Sequence, residues 1–291
     1  MPVLTLDMAR SAPGAMDFAQ LSAGFTHYQR VGPAHGNPVV LVHGLTTPCF
    51  AWDSTVGALV DAGHRVLRFD LYGRGLSERP HIQGGLADYV RQLKEISADW
   101  PCFDLVAWSW GCGVAAAFAV EFPEKVKRIV LLAPGGLGEG YQSTFRLLKI
   151  PLLGELFAAT LGSVGLLRDV DKCFVQPEKF AWYKRRFREQ LAWDGYDRLF
   201  LATMRHCPAR LAPTYAALAE HSFPVDVLWG TADQKVPWTL QEEFVRLVPR
   251  AELHPIEGAG HAAQVEHPAK FNHVLLSLLG QESRLSLPIG P

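Results

Sequence analysis

The stretch Leu105-Val106-Ala107-Trp108-Ser109-Trp110-Gly111-Cys112-Gly113 carries an apolar, strand-like run into a serine and leaves it directly for a segment rich in small residues. Its form is small-x-Ser-x-Gly. At a strand-to-helix turn of this kind the serine takes a strained backbone conformation that lifts its hydroxyl clear of the sheet. The residues two positions away on either side must then be small, because backbones approach closely there. Ala107 and Gly111 meet that requirement. A helix starting after the serine would aim its N-terminal amides at the hydroxyl, with the Trp110 amide as one donor to an oxyanion. Taken alone, the pentapeptide also fits an ordinary N-capping serine after a strand. Its partners elsewhere decide between the two.

Working outward, short β-branched or apolar runs alternate with longer helix-like stretches from Gly24 to about Pro134. The patterns predict strands from Phe25 to Val31, Val39 to His43, Arg65 to Phe69, Phe103 to Trp108 and Arg128 to Ala133. Helices are predicted from Trp52 to Ala62, Leu86 to Trp100 and Gly111 to Glu121. The alternation implies an α/β fold with a mostly parallel, doubly wound sheet. Val39-Val40-Leu41-Val42 and Ile129-Val130-Leu131-Leu132 are apolar without a break, as strands buried on both faces must be.

After Pro134-Gly135-Gly136 the rhythm stops, and from about Leu137 to Ser222 the spacing is helical. It resumes with a strand from Val225 to Trp229, a helix near Thr239 to Val248, a short strand from Glu252 to Pro255 and a last helix from about Pro268 to Leu279. The expected organisation is therefore a core of residues 1–136 and 223–291 with a helical cap at 137–222. The first ~20 residues read as a loosely ordered leader.

Bulk properties narrow the function. The formal net charge is −1, with both signs interspersed, which leaves no electrostatic footprint for nucleic acid or an anionic membrane. A small, neutral or weakly charged substrate fits better, and no oligomeric state is implied. The five cysteines are scattered without CxxC spacing, against a disulfide framework or structural zinc, so a reduced, cytoplasmic chain is expected. The N-terminus lacks the basic and apolar regions of a secretory signal.

Leu147 to Leu167 is mostly apolar, but Lys149, Pro151 and Glu155 weigh against a membrane span. A buried or cleft-lining helical pair is expected instead, with Leu147, Leu148, Leu152, Leu153, Leu156, Phe157 and Leu161 at helical spacings. Gly73-Arg74-Gly75 and Gly136-Leu137-Gly138-Glu139-Gly140 lack the context for dinucleotide binding, and no HExxH or Walker pattern occurs. No cofactor and no metal are expected.

A serine hydroxyl is a poor nucleophile near neutral pH and needs a base, which in turn needs a carboxylate to fix its tautomer. Asp233 follows the strand from Val225 to Trp229 through a Gly230-Thr231-Ala232 turn, at the sheet edge where open α/β folds bind ligands. His261 sits in the turn Gly258-Ala259-Gly260-His261. Singly, Asp233 could cap a turn and His261 could be one solvated histidine among eleven. Jointly, Ser109, His261 and Asp233 supply nucleophile, general base and orienting acid.

These features resemble the α/β-hydrolase superfamily, in its branch of small cap-bearing serine esterases and related enzymes, over roughly Phe25 to Leu279 except the insert. The matching motifs are Leu41-Val42-His43-Gly44-Leu45, Asp70-Leu71-Tyr72-Gly73-Arg74-Gly75-Leu76-Ser77, Leu228-Trp229-Gly230-Thr231-Ala232-Asp233 and the loop from Gly258 to Pro268. The chain order Ser, Asp, His is also that of the family. Two positions depart from its pattern: Ala107 stands for the commoner glycine and Cys112 for a second glycine, although both are small.

The resemblance implies a second oxyanion donor at the Leu45 amide and a structural role for His43. Having a serine, the chain is set apart from relatives whose nucleophile is an aspartate. Trp108, Trp110 and Leu45 are candidate substrate contacts. The expected activity is hydrolysis of a small-to-medium, fairly apolar carboxylic ester through an acyl-enzyme on Ser109. The alternatives are carbon–carbon bond hydrolysis of a diketone-type acid, with a cleft arginine from among Arg146, Arg168, Arg185 and Arg205; perhydrolase or acyltransferase activity; and use of the fold as a ligand receptor.

Overall fold

In the computed structural model, residues 2–12, 16–138, 147–158 and 162–280 are described. Arg146 and Leu161 lie outside them, as do the side chains of Leu147 and Phe157. Among the described residues, eight strands form one sheet: β1 (Asp17–Gln20), β2 (Phe25–Val31), β3 (Asn37–Val42), β4 (His64–Phe69), β5 (Phe103–Trp108), β6 (Val126–Leu132), β7 (Val225–Gly230) and β8 (Glu252–Ile256). Their spatial order is β1-β2-β4-β3-β5-β6-β7-β8. The pairings β1/β2 and β2/β4 are antiparallel and the remainder parallel.

The chain steps one way from β3 to β4 and the other way from β4 to β5. Right-handed crossovers then place the connecting helices, Asp53–Asp61 and Leu86–Ile96, on opposite faces. The first packs with the last helix, Pro268–Gly280, and the second with Gly111–Glu121. Covered on both sides, β5 and β7 are buried at every residue, which is why their sequences are nearly continuous apolar runs. The reversal of strand order lies beside β3 and β5, and ligands bind above such a switch point.

Three features differ from the sequence expectations. Residues 2–12 and 16–20 do not form a loose leader: Leu6–Arg10 is a helix capped by Thr5 Oγ1, and β1 extends the sheet edge. Leu4, Ala9 and Phe25 make a small buried cluster there with Phe18, which is enough apolar contact to dock a short segment. The helix from Leu86 stops at Ile96, before the predicted Trp100.

The third difference lies between β6 and β7. The described residues there form helices Leu153–Phe157, Ser163–Asp171, Ala181–Glu189, Tyr196–His206 and Ala212–Ala217, with no strand among them. The expected apolar stripe does not persist, however: Leu148 is buried, but Leu152, Leu153 and Leu156 are exposed, Leu152 by 84%. The cause is local. Leu152 follows Pro151 at φ 68°, so a short 3-10 turn at Leu147–Lys149 and a new helix at Leu153 replace one continuous helix, and the register is lost. No helix among the described residues is long and apolar enough to cross a membrane.

Candidate active site

β5 delivers Ser109 into the left-handed region at φ 58°, where a residue with a Cβ is strained. The surroundings hold it there: the Ser109 amide donates to Leu132 O at 2.8 Å and its carbonyl accepts from Gly135 N at 3.0 Å. The need for a small residue at 111 has a definite source. A Cβ on Gly111 would lie 2.2 Å from the His43 carbonyl oxygen on the neighbouring β3 edge.

The loops after β7 and β8 bring the other two groups to this point. His261 Nε2 lies 2.8 Å from Ser109 Oγ, and His261 Nδ1 lies 2.8 Å from Asp233 Oδ2. The other carboxylate oxygen of Asp233 accepts the amides of Lys235 and Val236 at 2.8 and 2.9 Å, which orients the carboxylate toward the ring. All three residues are buried. The arrangement provides a hydroxyl with a proton acceptor in reach and a carboxylate to receive the ring's second N–H.

The loop after β3 forms the facing wall. Gly44, Leu45 and Thr46 line the cavity with Ser109, and neither the Leu45 nor the Trp110 amide has a hydrogen-bond partner among the described residues. His43 lies beneath, fully buried, accepting from Leu71 N at 2.9 Å through Nε2 and donating from Nδ1 to Gly44 O at 2.8 Å. Burial pushes its pKa down from 6.5 to about 4, against the opposing pull of Asp70, so the ring is a neutral spacer. Cys112 is buried, its thiol contacts the Ala107 and Leu132 carbonyls, and desolvation raises its pKa well above the ordinary value. That is the environment of a packed thiol and not of a nucleophile.

Above Ser109 and His261 lies a cavity of about 260 Å³. Apolar wall is supplied by Leu45, Trp108, Leu148, Ala158, Leu166 and Phe200. Among the expected substrate contacts, Leu45 and Trp108 line it and the Trp110 indole does not. Trp110 turns instead into a separate small recess, edge-on to Tyr89 at 5.2 Å between ring centroids.

Of the candidate arginines, Arg168 lines the cavity, Arg205 is paired with Glu155, and Arg185 is exposed away from it. Sequence reasoning did not single out Lys235, Asp169, Lys172 or Asp197, all on the cavity wall. Lys235 and Asp169 form an ion pair, whereas Arg168 and Lys172 have no ion-pair partner among the described residues. Desolvation raises the pKa of Asp197. Only Lys235, two residues after Asp233, carried a signal in its spacing.

Two clusters collect metal-type donors: His27, Cys49 and Asp70, and Asp226, Glu252 and His254. In the first, Asp70 already accepts from His27 Nδ1, Cys49 N and Leu76 N, and in the second Asp226 is paired with Arg128 and His254. The His27, Asp70, Asp226 and His254 groups are thus engaged in holding loops and strand ends together.

A family model described as the alpha/beta hydrolase family matches residues 39–274. The chain is 30% identical to a 2-hydroxy-6-oxononadienedioate/2-hydroxy-6-oxononatrienedioate hydrolase of Paraburkholderia phymatum, over 88% of this chain and 91% of that protein. It is 28% identical to a 2-hydroxy-6-oxo-6-phenylhexa-2,4-dienoate hydrolase of Comamonas testosteroni, over 90% and 93%. In fold it is similar to an enol-lactonase of Burkholderia xenovorans, with a TM-score of 0.78 at 19% identity, over 91% of this chain and all of that one.

Proposed function

Because the chain belongs to the α/β-hydrolase family, we propose that it is a serine hydrolase cleaving a small-to-medium, fairly apolar carboxylic ester through an acyl-enzyme on Ser109. The observation that carries this reading is the line Ser109 Oγ, His261 ring, Asp233 carboxylate, with 2.8 Å at each step, at the base of a largely apolar cavity.

The steps follow from that line. Ser109 Oγ bonds to the ester carbonyl carbon as its proton passes to His261 Nε2 and the carbonyl electrons move onto oxygen. The Leu45 and Trp110 amides donate to the resulting oxyanion, and Asp233 stabilises the imidazolium through Nδ1–H. Collapse expels the alcohol, which takes the proton back from His261. Water, deprotonated by the same nitrogen, then releases the acid and restores Ser109. The helical insert of residues 137–222 would act as a cap over this cavity.

A second reading, hydrolysis of a carbon–carbon bond beside a ketone in a carboxylate-bearing substrate, is favoured by Arg168 and Lys172 on the cavity wall and by the names of the two relatives. It uses the same nucleophile.

Incubation with a fluorophosphonate probe tests the shared chemistry: Ser109 is labelled, and labelling collapses in His261→Ala. Absent labelling, or labelling indifferent to His261, overturns both readings. A panel of p-nitrophenyl esters of graded chain length then separates them. Negligible turnover across the panel, with Ser109 labelled, moves the assignment to the carbon–carbon reaction.

A further inference from the structure

Three successive carbonyls in the loop after β3 are each held by a side chain. His43 Nδ1 donates to Gly44 O at 2.8 Å, Arg74 Nε to Leu45 O at 2.7 Å and Gln190 Nε2 to Thr46 O at 2.7 Å. Gly44 C=O and Leu45 N–H belong to one planar trans peptide and point in opposite directions, so the bond from His43 aims the Leu45 amide. The bonds from Arg74 and Gln190 fix the next two peptide planes.

Arg74 is fully buried and forms no ion pair among the described residues. Its other nitrogens reach Tyr72 O at 3.1 Å, Tyr89 Oη at 3.2 Å and Thr203 Oγ1 at 3.5 Å, and Thr203 is 2.6 Å from Tyr89 Oη. A buried guanidinium without a counter-ion is costly, so stability alone does not account for it. Gln190, also buried, accepts from Gly75 N at 3.0 Å while donating to Thr46 O, and so bridges the loops after β3 and β4. Gln190 and Thr203 both come from the helical segment between β6 and β7.

We propose that Arg74 and Gln190 are positioning residues for the oxyanion loop, and that through Gln190 the helical segment must be seated for the Leu45 amide to be aimed. This rests on the serine-hydrolase reading above. Without the bond from Gln190 the Thr46 carbonyl loses its donor and the loop relaxes. The fork of Arg74 spans acceptors on four chain segments, which a lysine ammonium does not.

The test uses the full chain with three variants in parallel. Gln190→Ala removes the bridge. Gln190→Glu keeps the volume but cannot donate to a carbonyl when ionised. Arg186→Ala breaks an exposed tether of the same helical segment, the pair with Asp53, and leaves the oxyanion loop untouched. Expected is a fall in kcat of about ten- to hundredfold for both Gln190 variants on a p-nitrophenyl ester, with KM within about twofold, and wild-type kcat for Arg186→Ala. Hydrogen exchange of a peptide covering residues 43–47 should be faster in Gln190→Ala and unchanged in Arg186→Ala.

The proposal is overturned if the Gln190 variants keep kcat, if KM alone rises, or if Arg186→Ala loses as much. Should wild-type Ser109 prove unreactive to the fluorophosphonate, the serine-hydrolase reading fails by itself. The exchange data still decide the coupling, because exchange in Gln190→Ala indistinguishable from wild type would refute it.

Discussion

Trp108 donates its indole N–H to the backbone carbonyl of His261 at 2.8 Å. The residue preceding Ser109 thus holds the loop that carries the base, and the two rings stand 5.4 Å apart. Trp108→Phe keeps most of the ring and removes this donor. The His261 loop would loosen, so kcat should fall about tenfold with little change in KM, at a stability cost of about 1–2 kcal/mol for the stranded buried carbonyl. Steady-state kinetics beside urea unfolding checks both. An unchanged kcat would mean that the indole serves only as cavity wall.

Two glycine substitutions should act in opposite directions. Gly111→Ala would place a Cβ 2.2 Å from His43 O, a backbone atom that cannot step aside. Destabilisation of several kcal/mol is expected, with loss of Ser109 labelling in whatever folds. Gly57 lies inside helix Asp53–Asp61 with nothing within 4 Å of an added Cβ. Gly57→Ala should stabilise by about 0.5–1 kcal/mol at unchanged activity. Thermal melts of the pair decide; a neutral Gly111→Ala would contradict the close approach at the elbow.

The sheet was legible because its central strands are buried on both faces and therefore continuously apolar, as Val39 to Val42 and Ile129 to Leu132 are. Ser109, Asp233 and His261 were legible because each stands in a turn whose small neighbours announce it. The cavity wall was legible only in part: Leu45, Trp108 and Leu148 were expected there and Arg168 was one of four candidate arginines, but Lys172 and Asp197 were not singled out. Arg168, Lys172 and Asp197 are charged residues on amphipathic helices, and spacing cannot tell a cavity-facing charge from a solvated one. Trp110 was misplaced for a related reason. Flanking the serine brings its amide to the site, while its ring follows the helix away toward Tyr89. The leucines after Pro151 misled because one positive-φ residue ends a periodicity that composition alone would continue.

Arg168 and Lys172 face the cavity four residues apart on one helical stretch, without ion-pair partners among the described residues. Both are exposed, so their attraction for an anion is screened by water and salt. The double variant Arg168→Ala/Lys172→Ala should raise KM about threefold to tenfold for an ester carrying a terminal carboxylate and leave a neutral ester of equal length unaffected. Added salt should shrink the difference in the wild type. Equal KM changes for the two esters would remove the electrostatic support for the second reading.

Stability should respond to acid through two buried groups that pull in opposite directions. Burial lowers the pKa of His43 from 6.5 to about 4, so the unfolded chain takes up a proton that the folded one refuses. Its contribution is complete above pH 6.5 and is lost as the pH falls toward 4. Burial raises the pKa of Asp104 from 3.8 to about 6, so here the folded chain holds the extra proton. That contribution is complete below pH 3.8 and is lost as the pH rises toward 6. Each shift corresponds to a swing on the order of 3 kcal/mol, and over the shared window the two largely cancel in the wild type. The cancellation is separable by mutation. Asp104→Asn should gain stability with rising pH more steeply than wild type between pH 4.5 and 6.5, and His43→Gln should lose it. Urea midpoints at those two pH values, with m-values compared to exclude a change in the unfolded state, measure the slopes directly. If Asp104→Asn and wild type share one slope, the buried carboxylate is not holding a proton in the folded chain.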